Sequence, residues 1–467
     1  MRTKIVMTFI FLVAILCSLL FFAPVGMASS LVSGSFERSL GGGVAKEILN
    51  QYGGEYELPI QQRLWVEEVF RRLVECTERK DVEYNLTILN SSAPNAFALP
   101  GGYIFLTKGL LRILVNDENK LAAVLGHEIA HVEKRHGINA VFRQMGLTVL
   151  LEVGVIWLEL VSADVLRVGS VTLLQLLQLG WGREAEFEAD ILGQDMAVRA
   201  GFDSVGGVSA LDSLAEQNKF DLPMKIFRTH PDIKNRRTRL EENMLSYWSK
   251  LHVVTENNAL KRLELSRISH QNGRTDPNNR FNLKILSGKR GGLELHDLQS
   301  DEKTIWLQGF HVKSYNWSPK GKYLAVLGKL DSVSQIWLVD RYGYVIKRWV
   351  SSEKLGLIND MSWSLREDML ALDIFKDGKE EIVVTYVHTD VYIPITDDHG
   401  GNSSIWHDNY IYFFNNGRWY GRKMPETRAV VIPNPIPRVV ERKRILSPTI
   451  IEEGNTIRLT SPSLILP

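Results

Sequence analysis

Two histidines stand four residues apart, with a glutamate directly after the first, in the stretch VLGHEIAHVEKRH from Val124 to His136. On a helix, residues four apart share a face, so His127 and His131 can aim two imidazole nitrogens at one metal ion. Glu128 lies one position round from His127. There its carboxylate can hold a water on the metal and take its proton during attack on a carbonyl, since zinc lowers that water's pKa to about 7. A ligand pair and a general base are thus present. A catalytic zinc also needs a third protein ligand. The stretch WGREAEFEADILGQDMAVRAG, Trp181 to Gly201, offers two pairs: Glu186 and Asp190 share one helical face, Glu184 and Glu188 another. Spacing alone does not choose between them, and a solvated acidic face is the bland alternative. His230, in FRTHPDIKNRRTRL, precedes a proline and a basic run, a setting more common in turns than in catalysis.

These residues need helices to position them. Leu121, Val124, Leu125 and Ile129 form an apolar stripe that would seat the first helix on a core, with Asn116 and Asp117 before it as caps. From Ser29 to about Leu265 the chain reads mainly as amphipathic helices, with β-type alternation broken by Pro and Gly between Glu83 and Thr107. The apolar segment Val149–Leu179 is interrupted by Glu152, Glu159, Asp164 and Arg167. It reads as buried or membrane-touching helices rather than a transmembrane hairpin. The polar stretch Ser266–Arg280 reads as a linker.

Beyond the linker, strands alternate and tryptophan becomes frequent. YNWSPKGKYLAVLG around Trp317 is echoed by MSWSLREDMLALDIF around Trp363 and by SIWHDNYIYFF around Trp406. Several strands and a turn signal per unit are the pattern of propeller blades. About four such units fit before the Pro-rich VVIPNPIPRVV; a curved β-array or sandwich is the alternative.

The 467 residues are 45% hydrophobic and 23% charged with a net charge of +1, which excludes a nucleic-acid footprint. Arg2 and Lys4 precede an apolar run to about Phe22 and a Gly-Met-Ala exit at 26–28. Residues 1–28 therefore read as a secretory signal cleaved after Ala28, or as an uncleaved N-terminal anchor; either exports the rest. Cleavage at Ala28 would leave Cys76 without an intramolecular partner, and it reads as a buried structural thiol.

HEIAHVEKRH, EAEFEADILG and FRTHPDIKNR, in this order and downstream of NAFALPGGYIFLTKGLL, resemble the zinc metallopeptidase family of HtpX, BepA, Oma-type proteases and the CAAX prenyl endopeptidase, over about Phe36–Leu240. The resemblance implies Glu186 as third ligand to one zinc per chain, and Asp190 as the carboxylate that orients a ligand histidine. It places His230 close to the metal, as oxyanion stabiliser or as a fourth ligand that holds the enzyme inactive, and Arg236 as an electrostatic anchor. His136 also has a family counterpart, but five residues from His131 it faces the wrong way to chelate and stays outside the ligand set. Asn95–Thr107 resembles the family's edge strand beside the cleft, which makes Pro100, Gly101, Gly102 and Tyr103 candidate substrate contacts; a structural hairpin is the alternative. WSPKGKYLA resembles TolB-like propeller repeats.

The expected architecture is multidomain. A mainly α (α+β) gluzincin-type metallopeptidase domain spans 29–265, a linker 266–280, and an all-β propeller-like domain 281–467. The expected function is an exported, extracytoplasmic zinc endopeptidase acting on unfolded or misassembled envelope proteins. Its repeats would recruit substrates or an envelope protein complex, and contact with a membrane surface is compatible with the apolar helices. The alternative is a self-restrained, chaperone-like or assembly protein with a mostly shut site.

Overall fold

The computed structural model describes residues 34–114, 117–144, 163–218, 229–250, 252–254, 275–288, 291–397, 400–428, 450–453 and 456–459. The expected signal or anchor, Asn116, residues 149–162 of the apolar segment and most of the expected linker lie outside the described residues. The chain divides into two compact units. One comprises Met1–Asn243 with Glu426–Arg438, the other Met244–Pro425 with Val439–Pro467.

The first unit is built from helices α1 (Gly34–Gln51), α2 (Ile60–Glu75), α3 (Lys108–Leu114), α4 (Glu118–Glu133), α5 (His136–Gln144), α6 (Ala163–Leu179), α7 (Arg183–Arg199), α8 (Gly206–Asn218) and α9 (Ile233–Asn243). They enclose a small sheet of β1 (Asn85–Leu89), β2 (Ala96–Leu99) and β3 (Tyr103–Thr107) in the order β1-β3-β2, with β1 parallel and β2 antiparallel to β3. Strand alternation sends successive side chains to opposite faces. Ala96, Ala98, Ile104 and Leu106 therefore join one core with Trp65, Val69, Leu73, Leu121, Leu125 and Ile129. Phe97, Leu99 and Phe105 join another with Leu40, Val44, Ile138, Leu173 and Trp181. A sheet covered on both faces has no polar side, which is why β2 (AFAL) is apolar at every position and β3 (YIFLT) nearly so, rather than alternating.

The Pro100–Gly102 turn joins β2 to β3, with Gly101 and Gly102 at φ +84° and +92°. A Cβ on Gly101 would meet the Arg38 backbone of α1 at 2.4 Å, and one on Gly102 the Glu83 carbonyl oxygen at 2.3 Å. All three turn residues are buried. The turn thus packs its backbone against α1 and the 82–83 segment. Pro100, Gly101 and Gly102, the candidate substrate contacts, pack the hairpin, and Tyr103 lies half-buried against α1.

Among the described residues no helix is long and apolar enough to cross a membrane. The described part of the apolar segment, α6, packs Leu173 and Leu177 into the core and leaves Val168, Val171 and Leu179 exposed.

The second unit is all-β. It contains a three-stranded sheet of β5 (Phe281–Ile285), β6 (Leu293–Asp297) and β7 (Lys303–Trp306), followed by a sheet of β8 (His311–Trp317), β9 (Tyr323–Leu330), β10 (Val333–Asp340) and β11 (Val345–Val350). Next comes a sheet of β12 (Leu357–Trp363), β13 (Met369–Lys376), β14 (Lys379–Tyr386) and β15 (Tyr392–Pro394). The next sheet pairs β16 (Asn402–His407), β17 (Tyr410–Asn415) and β18 (Arg418–Lys423) with β4 (His252–Val253) from the start of the unit. A separate hairpin, β19 (Ile450–Glu453) and β20 (Thr456–Leu459), completes the described strands.

The repeat seen in the sequence has a shared local cause. Ser318 after Trp317 accepts the Tyr323 N–H through its hydroxyl at 3.0 Å, and Ser364 after Trp363 accepts the Met369 N–H at 3.2 Å. Each serine closes the turn that returns the chain into the next strand. The β-unit takes in the chain from Met244: the Ser249 N–H donates to the Lys423 carbonyl oxygen, and β4 pairs with β18.

Candidate active site

Helix α4 begins at Asp117, whose carboxylate accepts the Asn119 and Lys120 N–H groups, each at 3.1 Å, and so satisfies two of the free donors of the first turn. Leu121, Leu125 and Ile129 of its apolar stripe are buried and Val124 is partly so, which places His127, Glu128 and His131 inside the unit. Helix α7 lies against it. Of the two acidic pairs there, Glu186 and Asp190 are buried beside α4, whereas Glu184 and Glu188 are exposed.

Four side chains, His127, His131, Glu186 and His230, direct potential ligand atoms at one point, all within 4.8 Å of one another. His127 Nε2 lies 3.1 Å from His131 Nε2 and 3.3 Å from His230 Nδ1. Glu186 Oε1 lies 3.1 Å from His230 Nδ1 and 3.5 Å from His131 Nε2, and its Oε2 lies 3.6 Å from His127 Nε2. Zinc bonds of about 2.0–2.1 Å in a tetrahedron set donor atoms about 3.3 Å apart, so nitrogen and oxygen donors at these spacings fit such an ion.

The charges suit ligands. Burial drives His131 well below the ordinary histidine range and keeps it a neutral imidazole. Burial opposes ionisation of Glu186, but the histidines around it outweigh this and hold the carboxyl well below its usual range. His127 Nδ1 lies 2.9 Å from Asp190 Oδ1, so its N–H donates there and leaves Nε2 free. Asp190 is held in turn by Arg236, whose Nε and Nη2 each donate at 2.7 Å, while Arg236 Nη1 reaches Glu186 Oε2 at 2.9 Å. Burial alone would raise Asp190, but Arg236 and His127 bring it down to about 2.

Glu128 is buried, and among the described residues its Oε2 has no hydrogen-bond partner. Burial raises its pKa, as suits a group that must accept a proton. His230 lies between Glu186 and Glu128, with Nε2 3.5 Å from Glu128 Oε1 and 3.3 Å from the Ala96 carbonyl oxygen. Burial disfavours its charged form, yet Glu186 and Glu128 outweigh that and push it up to about 9. A pocket of about 50 Å³, lined by His127, Glu128, Val124, Leu211 and Leu214, opens beside the cluster.

Several participants escape reading from sequence. Gly126 and Gly193 let α4 and α7 approach closely at the cluster. Small residues next to HEIAH and three after Asp190 were the available signal. The Ala96 carbonyl left no signal. His136 lies outside this cluster of four, and its Nδ1 lies 2.8 Å from His131 Nδ1.

This fold and donor set define a metallopeptidase-type centre. Residues 60–244 match peptidase family M48, so the chain carries an M48 peptidase domain. It is 30% identical over 215 residues to the mitochondrial metalloendopeptidase OMA1 of Schizosaccharomyces pombe, covering 45% of this chain and 62% of that protein. It is also 30% identical over 191 residues to the beta-barrel assembly-enhancing protease of Yersinia pestis, covering 38% of this chain and 39% of that protein. The chain thus spans less than two thirds of each of these relatives. Among solved structures, a putative TolB from Agrobacterium tumefaciens aligns with 30% of this chain and 51% of its own, at 18% identity and a TM-score of 0.24.

Proposed function

We propose that this chain is an extracytoplasmic zinc endopeptidase that hydrolyses peptide bonds of unfolded or misassembled envelope proteins, with its β-unit recruiting substrates or a partner complex. The observation that carries the reading is the convergence of His127, His131 and Glu186 beside the buried, partly unpartnered carboxylate of Glu128. The names of the two relatives, a metalloendopeptidase and a beta-barrel assembly-enhancing protease, support a peptidase role and an envelope setting.

His127, His131 and Glu186 would hold the ion. When bound, zinc supplies Lewis acidity toward the scissile carbonyl and lowers the pKa of water to about 7. Glu128 takes the proton from the attacking water and passes it to the leaving amine. Asp190 fixes the His127 tautomer, and Arg236 holds Asp190 and Glu186 in place. The small pocket beside Glu128, with Val124, Leu211 and Leu214 in its wall, would take a small apolar side chain next to the scissile bond.

A second reading, a self-restrained site, is favoured by His230. Its Nε2–H can donate to the Ala96 carbonyl, which leaves the Nδ1 lone pair at ligand spacing from His127 and Glu186. His230 would then be a fourth protein ligand and would compete with the water that the reaction needs. Zinc content and casein cleavage of the parent, Glu128→Gln and His230→Ala decide between the readings. About one zinc in each, with cleavage lost in Glu128→Gln, supports the peptidase; absence of metal from the parent sinks it. A gain of cleavage in His230→Ala supports self-restraint, and a loss supports an oxyanion role.

A further inference from the structure

His136 takes no part in the mechanism above, yet it is buried and touches a candidate ligand. His131 turns Nε2 toward the metal-binding cluster, 3.1 Å from His127 Nε2. Its other nitrogen, Nδ1, lies 2.8 Å from His136 Nδ1. His136 Nε2 in turn lies 3.1 Å from Glu188 Oε2, and Glu188 Oε1 lies 2.9 Å from Lys134 Nζ. Glu188, one of the pair set aside as a ligand, is therefore connected to the site through two imidazoles.

Hydrogen-bond direction along this chain follows from chemistry. A nitrogen that ligates a metal must offer a lone pair, so the proton of a ligating neutral His131 sits on Nδ1. Across the short contact, His136 Nδ1 must then accept. The proton of neutral His136 is left on Nε2, where it faces a carboxylate that only accepts. The reverse polarity would set two N–H groups against each other at 2.8 Å. Hence one arrangement satisfies every atom: His131 Nδ1–H to His136 Nδ1, and His136 Nε2–H to Glu188.

We propose that His136 and Glu188 are positioning residues for His131, fixing its tautomer and ring orientation through a two-step relay; this rests on His131 being a metal ligand. The two histidines of the HEIAH stretch are then held by unlike partners. His127 donates directly to a buried carboxylate clamped by Arg236. His131 donates to a neutral imidazole whose polarity is set by a carboxylate that is half exposed, at 49%. That carboxylate lies on an open groove of about 940 Å³ with Lys134, Arg143, Arg183 and Arg239 also in its walls.

The test is zinc affinity by chelator competition on the full chain, with melting curves alongside. His136→Leu removes the acceptor and should weaken zinc binding about 10–100-fold. His136→Asn restores an acceptor oxygen near the Nδ1 position and should recover most of that loss, although it fills less of the ring's volume. At the exposed end, Glu188→Gln still accepts and should stay near the parent. Glu188→Lys presents a donor to His136 and should weaken binding. A folded His136→Leu with parental affinity overturns the relay, as does equal weakening in the Leu and Asn variants. If His136→Leu does not fold, the Glu188 pair decides, and equal affinity in Gln and Lys overturns it. A parent that binds no zinc would instead overturn the metal-ligand reading itself.

Discussion

Gly126 and Gly193 face each other where the two ligand-bearing helices cross. A Cβ on Gly126 would lie 2.8 Å from the Gly193 carbonyl oxygen, and one on Gly193 would lie 2.7 Å from the His127 backbone nitrogen. Backbone atoms cannot swing aside as a side-chain tip can, so any larger residue must push α4 and α7 apart. The separation of those helices sets the distance from His127 and His131 to Glu186.

Gly193→Ala therefore tests how finely the site depends on that crossing. Overpacking should cost about 1–3 kcal/mol of stability. Zinc affinity should fall by more than the loss of folded protein explains. Parallel melting and zinc titration check this; unchanged affinity in a folded variant would show that the helices tolerate the shift.

Arg236→Met leaves Asp190 and Glu186 buried without their shared cation. Breaking such a cluster from one side costs about 3–5 kcal/mol, because the remaining charges stay desolvated. Urea denaturation should show a loss of this size. Arg236→Lys should recover only part of it, since a single ammonium lacks the planar fork that reaches both carboxylates.

Zinc removal should destabilise the peptidase unit selectively. At a free concentration of 100 times Kd, a ligand of the native state stabilises by about 2.7 kcal/mol. Chelation should lower the melting transition of that unit and leave the β-unit's transition in place. A shift of equal size in both would argue against a site confined to the first unit.

The β-unit carries its own pH dependence at Asp373. Burial raises its carboxyl to about 6, and the neighbouring Asp360 adds to this. Among the described residues its Oδ1 has no hydrogen-bond partner. With the folded pKa above the unfolded one, the stabilising contribution is complete below about pH 4. It is lost as pH rises to about 6, because the native state then has to ionise a buried group. Asp373→Asn should flatten that slope and stabilise the unit at neutral pH by roughly 3 kcal/mol at most. Denaturation midpoints at pH 4.5 and 7.5 measure it; a variant with the parental slope would rule Asp373 out.

How much of this was legible varied with the range over which each feature is determined. His127 and His131 were readable as a pair because one helix sets their geometry. Glu186 was not separable from Glu188 by spacing, since which face of α7 turns inward depends on its packing against α4. The Pro100–Gly102 turn was readable as a break between strands, but not as a contact with α1, which depends on how that helix packs. The Trp317 and Trp363 repeats were visible because each turn is closed locally by the serine that follows. β4 was invisible: two residues, His252 and Val253, make no pattern, and their strand exists only because β18 supplies the ladder.

That short strand has a consequence for descent. Through it the start and finish of Met244–Pro425 lie side by side, with the Ser249 N–H donating to the Lys423 carbonyl at 2.9 Å. Beyond Pro425 the chain rejoins the first unit, where the Arg428 N–H meets the Gly201 carbonyl oxygen. Neighbouring termini are the condition under which a whole domain can be spliced into a host at a single locus. The four sheets formed between Met244 and Pro425 therefore meet the geometric condition for joining or leaving a chain as one insert.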